Sequence, residues 1–304
     1  MSSNPQPGRR PLVYETPLAI RAWSRAFRCG QKTLALVPTM GALHAGHRAL
    51  FQAARQAADA VVASIFVNPS QFGPGEDLSS YPRTLDADLA ACAEEGVDAV
   101  FAPTGLAVYA ADHSTWVCED ALASGLEGAI RPGHFQGVLT VVLKLFNTVE
   151  PDVALFGQKD IQQALLIRRM ARDLLLPVDI HVAPTVRETD GLALSSRNRY
   201  LSVEHRRQAP ALWKALSACR ELLESGERNM KRVEAAGMEI LDSVPGLKVD
   251  YLQVVDMETL EEPRNMGRPL VVAGAVRLGT TRLIDNIVCP PGALAGSSSG
   301  VNAS

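Results

Sequence analysis

The sequence offers little that is typical of nucleic-acid-binding, membrane or secreted proteins. Its 304 residues carry a formal net charge of −3, so the basic excess of a nucleic-acid-binding domain is missing. No apolar run reaches the roughly 18 residues of a membrane span, and the polar first ten residues lack the apolar stretch of a signal peptide. The five cysteines are scattered and form no C-x-x-C pair. We therefore expect a cytoplasmic protein with reduced thiols and no membrane or nucleic-acid partner.

Several common catalytic motifs are missing as well. The chain contains no G-x-x-x-x-G-K-[ST] and no G-x-G-x-x-G after a strand, which argues against the usual NTPase and dinucleotide sites. It contains no G-x-S-x-G, which argues against an α/β-hydrolase. Any enzymatic function must therefore be sought in other loops.

Short apolar runs alternate with helix-length amphipathic segments up to about residue 186. Apolar runs separated by crossover helices predict a parallel sheet covered on both faces, and hence a doubly wound α/β domain. The predicted strands are 33–38, 60–68, 98–103, 152–157 and 177–184, and the predicted helices are 46–59, 84–96, 134–150 and 158–174.

The pattern changes after residue 186. Two helices are predicted within 203–227 and 229–246, followed by strands with short connections at 248–256, 269–279 and 281–289. This order predicts a smaller α+β domain with an antiparallel sheet. We therefore expect domains at 1–186 and 187–290, and a disordered tail at 291–304 because that segment is small and polar.

Four unusual loops follow predicted strands. Ligands of doubly wound sheets bind outside the carboxyl ends of the strands, so the sequence predicts one site shared by these loops. The loops are PTMGALHAGH (38–47), NPSQFGPGED (68–77), FGQKD (156–160) and PTVRETDGLALSSRN (184–198).

The first of these loops opens directly into a predicted helix, whose free N–H groups would attract phosphate. His44 and His47 lie there and can donate hydrogen bonds to phosphate oxygens. Two histidines three apart could also bind zinc, but the other four histidines stand alone and supply no further ligands at suitable spacing. The spacing alone leaves phosphate binding and an incidental pair both open.

The remaining loops are also ambiguous on spacing alone. Lys159 offers a point charge for a polyphosphate, or it is solvated while Asp160 caps the helix. Two serines followed by Arg197 could clamp phosphates, or they form a polar interdomain linker. The amides of Gln71 and Gln163 suit the hydroxyls and carboxylate of a small polar substrate, although a lone glutamine is normally a surface residue.

Together these stretches resemble the pantoate–β-alanine ligase family of the HxGH nucleotidyltransferases. The resemblance runs from about residue 33 to 286. It implies a Rossmann-type ATP- and pantoate-binding domain, a smaller C-terminal lid domain and a homodimer. The matching stretches are VPTMGALHAGH, SIFVNPSQFGPGEDLSSYPRT, RPGHFQGVLTVVLKLF, FGQKDIQQ, PTVRETDGLALSSRNRYL and RLGTTRLIDN.

The resemblance implies a reaction in two steps. The carboxylate of pantoate attacks the α-phosphorus of Mg-ATP, giving pantoyl adenylate and pyrophosphate. The amine of β-alanine then attacks the adenylate and releases AMP and pantothenate. The implied cofactor is Mg²⁺, held mostly by phosphate oxygens and water. No residue is assigned as a metal ligand, although carboxylates such as Asp88 could approach the site.

The resemblance also implies residue roles. His44, His47 and Lys159 are the implied catalytic residues on the phosphates, with His47 as general acid. Gln71 would contact both pantoate and β-alanine. The other implied pantoate contacts are Gln163, Asn68 and Met40. The implied ATP-binding positions are Pro38, Thr39, Met40, Gly41, Ala42, Leu43, His44, Ala45, Gly46, His47, Gly157, Gln158, Lys159, Asp160, Val186, Leu194, Ser195, Ser196 and Arg197.

Two residues depart from the family pattern, Ala45 after the first histidine and Gln158 in place of the usual glutamate. Neither carries an implied chemical role, so we expect at most a modest change in nucleotide affinity. Two other functions compete with the ligase. One is a relative that adenylylates a phosphate-bearing substrate, and the other is a non-catalytic nucleotide-binding module.

Overall fold

The computed structural model of the chain describes residues 8–291. The chain divides into two compact units between Val186 and Arg187. The tail predicted to be disordered lies, from residue 292 onward, outside the described residues. Among the described residues, no helix combines the length and the apolar character that a membrane span requires.

The first unit is built on a six-stranded parallel sheet, which confirms the predicted doubly wound α/β class. Strands β2 and β3 are almost entirely buried, because helices cover both faces of the sheet. The order of the strands is β1-β4-β3-β2-β5-β6, so the direction of winding reverses between β2 and β5. The strands are β1 Leu12–Tyr14, β2 Leu34–Thr39, β3 Ala60–Ile65, β4 Ala99–Phe101, β5 Val153–Gly157 and β6 Asp179–Ala183.

Helices accompany this sheet along the described part of the first unit. Helix α2 packs on it through buried Leu50, Phe51 and Ala54. Full burial of a phenylalanine stabilises a fold by about 1.5–3 kcal/mol, so this packing anchors the start of α2 beside the sheet. The helices are α1 Pro17–Arg28, α2 Ala45–Ala57, α3 Leu85–Glu94, α4 Gly105–Val108, α5 Glu127–Ile130, α6 His134–Val149 and α7 Ile161–Asp173.

Most predicted boundaries in this unit differ from the observed ones by one or two residues, and the two larger differences both lie at short 3-10 turns. The strand predicted at 60–68 ends at Ile65, because the Asn68 side chain accepts a hydrogen bond from Ser70 N and starts a turn at Pro69–Gln71. The helix predicted from residue 158 begins at Ile161, since residues 158–160 form a separate 3-10 turn. Both turns lie at carboxyl ends of strands, where the site was predicted.

The second unit contains a three-stranded antiparallel sheet with helices packed against it, as predicted. One helix predicted within 203–227 is two helices, because Pro210 lacks an N–H and interrupts the hydrogen-bonding pattern. The strand order is β7-β8-β9. The elements are α8 Val203–Gln208, α9 Ala211–Glu224, α10 Met230–Asp242, β7 Leu247–Asp256, β8 Leu270–Leu278 and β9 Thr281–Cys289.

Candidate active site

The winding of the first sheet reverses between β2 and β5, which are direct neighbours. Strand β2 ends at Thr39 and leads into the loop with the two histidines. Strand β5 ends at Gly157 and leads into residues 158–160. The crevice outside such a reversal is the usual ligand site of an open α/β sheet. The fold therefore brings two of the predicted loops together at one edge of the sheet.

The two histidines form the N-terminal cap of α2. His44 is the N-cap residue, and its Nδ1 accepts a hydrogen bond from Gly46 N at 3.1 Å. In return, the backbone N–H of His44 donates to Nδ1 of His47 at 3.3 Å. This arrangement corresponds to the capping box that Ser/Thr and Glu commonly form. The spacing of three residues therefore has a structural reason as well as a chemical one.

The cap fixes the tautomer of each ring. A backbone N–H can donate only to an unprotonated ring nitrogen, so Nδ1 is the acceptor in both His44 and His47. The proton of each neutral ring then lies on Nε2, which is a hydrogen-bond donor. The ring centroids are 4.2 Å apart, so the two donors form a pair.

Gly46 is required by the ring of His44. A Cβ atom at this position would lie 2.9 Å from Cε1 of His44 and 3.0 Å from its Nδ1. Real Cβ contacts are essentially never that short, so another residue would displace the ring. The glycine in HxGH therefore protects the capping geometry.

His47 is neutral at pH 7 in this structure. Desolvation lowers the pKa of His47 to about 3, with a further lowering by the nearby His44. Asp160 raises and Lys159 lowers the same pKa, so residues of both loops act on this ring. Lys159 Nζ lies 3.9 Å from Oδ1 of Asp160, and the Asp160 side chain is 50% exposed. The side chain of Asp160 makes no capping hydrogen bond to α7.

The turn before His44 is left-handed at two successive residues, Gly41 with φ of 81° and Ala42 with φ of 52°. Its amides bond to a side chain that sequence reasoning did not assign. The N–H groups of Ala42 and Leu43 donate to the carboxylate of Asp88 at 3.1 and 2.8 Å. Asp88 lies 45 residues further along the chain, and no local pattern links it to this turn.

Three of the four predicted pantoate contacts cluster beside β2. The side chain of Asn68 donates to Oε1 of Gln71 at 3.0 Å and to the carbonyl of Gly137 at 3.2 Å. The Gln71 amide nitrogen lies 3.4 Å from the sulfur of Met40. Asn68 is 1% exposed, so it supports Gln71 from inside the protein. Of these residues, Gln71 and Met40 are only partly buried.

A second group of side chains, from Glu76, Arg131 and His134, holds the backbone of Gln71. Arg131 forms a two-point ion pair with Glu76 at 2.7 Å and donates to Nε2 of His134 at 3.0 Å. Nδ1 of His134 therefore carries the proton and donates to the carbonyl of Gln71 at 2.8 Å. Desolvation, reinforced by Arg131, lowers the pKa of His134 to about 4. The sequence did not predict this support for Gln71.

The fourth predicted pantoate contact is Gln163, which lies partly buried in the first turn of α7. Its neighbour Gln162 is 3% exposed and bonds to Glu127 N and to the carbonyls of Leu122 and Gly125. Gln162 therefore joins α7 to the segment before α6. The sequence did not predict this connection. Val186, the predicted adenine contact, is partly buried at the end of the first unit.

The predicted ATP-binding residues 194–197 belong to the second unit. Oγ of Ser195 accepts a hydrogen bond from Arg197 N at 3.3 Å and starts a 3-10 turn at Ser196–Tyr200. The preceding segment is held by Arg187, which pairs with buried Asp285 at 2.5 and 2.9 Å. The guanidinium group of Arg187 also lies 3.7 Å from the centre of the Trp213 ring.

Arg187 and Asp285 lie 98 residues apart, and sequence reasoning assigned a role to neither of them. Within residues 8–291, no group of three or more histidine, cysteine or carboxylate side chains is arranged to hold a metal ion. The two loops at the ends of β2 and β5 provide hydrogen-bond donors and the charge of Lys159, a set that suits phosphate oxygens.

Comparison with known proteins gives one consistent result. A sequence profile of the pantoate–β-alanine ligase family matches residues 12–288. The chain is 53% identical to the pantothenate synthetase of Acidobacterium capsulatum over 85% of this chain and 87% of that protein. It is 52% identical to that of Mycolicibacterium smegmatis, over 93% of this chain and 89% of that protein.

Solved structures give the same result. The crystal structure of pantothenate synthetase from Thermus thermophilus matches with a TM-score of 0.83 and 48% identity, over 91% of this chain and 98% of that one. The enzyme from Francisella tularensis, complexed with β,γ-ATP and β-alanine, matches with a TM-score of 0.76 and 31% identity, over 92% of this chain and 99% of that one. The chain belongs to the pantoate–β-alanine ligase family.

Proposed function

We propose that the crevice at the carboxyl ends of β2 and β5 is where this ligase activates pantoate with ATP. The proposal is supported above all by the histidine cap of α2, which sets two adjacent imidazole rings at one helix terminus with Nδ1 as the acceptor in each. Lys159 lies close enough to influence His47 and adds a positive charge. Neutral donors, a cation and a helix N-terminus together suit a triphosphate.

In the first step, the pantoate carboxylate attacks the α-phosphorus of ATP, and pyrophosphate leaves as the new acyl–phosphate bond forms. The two Nε2–H groups donate to phosphate oxygens, and Lys159 stabilises the negative charge that develops on them. The protein thus contributes mainly positioning and electrostatic stabilisation. Phosphate beside His47 would raise the pKa of that ring. Its predicted role as general acid would also require the backbone N–H of His44 to release Nδ1 of His47.

Gln71 and Met40 are proposed to hold pantoate, with Asn68 and His134 keeping Gln71 in place through the hydrogen bonds described above. Gln163 is proposed to complete this group from α7. In the second step, the amine of β-alanine attacks the acyl carbon of the adenylate, and AMP leaves. Gln71 is proposed to face this amine as well.

Mg²⁺ is proposed to accompany ATP and to be held by phosphate oxygens and water, as is common for this ion. Asp160 is the carboxylate that we place nearest to this ion, because its half-exposed side chain adjoins Lys159. Asp88 is a poorer candidate, since two backbone N–H groups already donate to it.

The second unit is proposed to act as a lid, and the active form is proposed to be a cytoplasmic homodimer. A reducing compartment suits the chain, because all five cysteines are free thiols. Sedimentation of the purified chain at several concentrations tests the homodimer directly. A monomer at all concentrations would contradict that part of the proposal.

The central test is exchange of labelled pyrophosphate into ATP in the presence of pantoate and without β-alanine. We expect the wild-type chain to catalyse this exchange. His47→Ala and Lys159→Ala should each reduce the rate by roughly 100-fold or more, because each removes one group that stabilises phosphate charge. His181→Ala, at an exposed histidine on β6, is the matched control and should exchange normally.

Normal exchange by both the His47 and Lys159 variants would overturn the site assignment. Exchange that depends on a phosphate-bearing acceptor and not on pantoate would favour the competing nucleotidyltransferase. No exchange with either acceptor, combined with ATP binding, would favour the non-catalytic module.

A further inference from the structure

The carboxylate of Asp88 is buried in the first unit and is hydrogen-bonded to the turn that precedes the histidine cap. Asp88 belongs to the first turn of α3 and is 3% exposed. A buried carboxylate persists where hydrogen bonds to its charged form offset the lost hydration. The hydrogen-bond donors to Asp88 therefore indicate the role of this buried carboxylate.

Three donors converge on this carboxylate. Oδ2 accepts from Ala42 N at 3.1 Å, and Oδ1 accepts from Leu43 N at 2.8 Å. The hydroxyl of Thr84, the N-cap residue of α3, donates to Oδ2 at 3.2 Å. All three donors are neutral groups, two backbone N–H groups and one hydroxyl. Backbone and hydroxyl dipoles thus balance the charge.

The turn is shaped around the carboxylate. Gly41 and Ala42 both have a positive φ, and the N–H groups of Ala42 and Leu43 both point to the carboxylate. A Cβ atom at Gly41 would lie 2.8 Å from Oδ2 of Asp88. A glycine is therefore needed here both for its positive φ and for the close approach of the acid.

The hydrogen bonds to Asp88 limit which groups of the loop can bind ATP. The amides of Ala42 and Leu43 were predicted to belong to the nucleotide site, but an internal carboxylate already accepts their hydrogen bonds. The histidine cap already engages the backbone N–H groups of His44 and Gly46, so the phosphate donors of the loop are then the two histidine rings. Their position depends on the residues immediately before His44, which Asp88 holds.

We infer that Asp88 is a positioning residue for the adenylation step, holding the 41–43 turn so that His44 and His47 meet the phosphates, and that it is not a magnesium ligand. The inference rests on the proposed function of the histidine pair. Asp88 acts through the backbone of the turn and contacts neither substrate.

Asp88→Asn tests this role with a side chain of the same size. An asparagine offers one acceptor oxygen, so one of the two amides would face an NH₂ group in place of an acceptor. We expect kcat for pantoate-dependent pyrophosphate exchange to fall by about 100-fold, because a displacement of about 1 Å at a catalytic group has that effect. KM for ATP should change by much less, since the loss falls on donors aligned with the transition state.

Asp86→Asn is the matched control, at an exposed acid two residues earlier on the same helix. It should exchange at the wild-type rate. Thr84→Val removes only the hydroxyl that supports Asp88 and should lower kcat by roughly three- to tenfold, since one of three donors is lost. This milder variant decides the question if Asp88→Asn does not fold.

Three outcomes would overturn the inference. One is a folded Asp88→Asn enzyme with wild-type kcat and only a lower melting temperature, which would make the residue merely structural. Another is activity that returns to normal at high Mg²⁺ concentration, which would make Asp88 a metal ligand. The third is a folded Thr84→Val enzyme with unchanged kcat. Absence of exchange in wild type and Asp86→Asn would instead refute the proposed function.

Discussion

Lowering the pH from 7 to 5 should destabilise the first unit through two histidines that are neutral when folded. Burial lowers the pKa of His47 to about 3 and that of His134 to about 4, from an ordinary value of 6.5. Below that ordinary value the unfolded chain binds protons that the folded chain does not, so unfolding becomes more favourable. The loss of stability therefore begins near the unfolded pKa of 6.5 and ends at each folded pKa.

The size of the effect follows from these values. At pH 5 each unfolded histidine lies about 1.5 pH units below its pKa, while each folded one is still largely unprotonated. At about 1.4 kcal/mol per unit, each ring lowers the free energy of unfolding by about 2 kcal/mol. Together they lower it by about 4 kcal/mol, a large part of the roughly 5–15 kcal/mol that stabilises a typical domain.

Hydrogen–deuterium exchange of β2 and β3 peptides in urea measures this stability for the first unit separately. Wild type is compared at pH 7, 6 and 5 with His134→Gln and with His181→Gln, an exposed-histidine control. The pH-dependent loss should shrink by about 2 kcal/mol in His134→Gln and stay unchanged in the control. An equal loss in wild type and His134→Gln, or ring NMR titrations of both histidines near pH 6.5, would refute the reasoning.

Two further substitutions test the supports around the predicted substrate loops. Gly137→Ala would place a Cβ 2.3 Å from a carbonyl oxygen of the turn that carries Gln71. We therefore expect KM for pantoate to rise by roughly tenfold or more. The control Gly125→Ala, whose Cβ would meet open space, should leave KM for pantoate unchanged. Steady-state kinetics decide this, and an unchanged KM in Gly137→Ala would contradict it. Arg187→Ala would remove the ion pair of the buried Asp285 carboxylate, so the second unit should lose about 3–5 kcal/mol in denaturant melts. Arg207→Ala, at an exposed arginine, should be nearly neutral, and equal effects of the two would contradict the assignment.

The central elements of the fold could be predicted because their sequence patterns are local. Continuous apolar runs indicated the buried parallel strands, and the changed pattern after residue 186 indicated the antiparallel sheet. The edge strand β1 was missed, since it has three residues and two of them are exposed. The capped start of α1, with Thr16 before Pro17, carried a usable pattern that was not assigned.

The candidate site could be located from the sequence, but its supports could not be predicted. Strand ends and loop composition placed the histidines and Lys159 near each other. The partners that hold them come from far along the chain, as with Asp88 and the turn 45 residues before it. Such pairs depend on how α3 packs beside the sheet, which no local periodicity encodes. The roles of the site residues stay predictions until the exchange assays are done.

The histidine cap of α2 also links protonation of its rings to the stability of the helix start. Each Nδ1 lone pair is occupied by a backbone N–H, so a proton can bind there only if that hydrogen bond breaks. Gain of a proton by His47 and loss of its cap bond are therefore one event. Acid strong enough to protonate this ring would weaken the start of α2, and His47 would lose its alignment together with its neutrality.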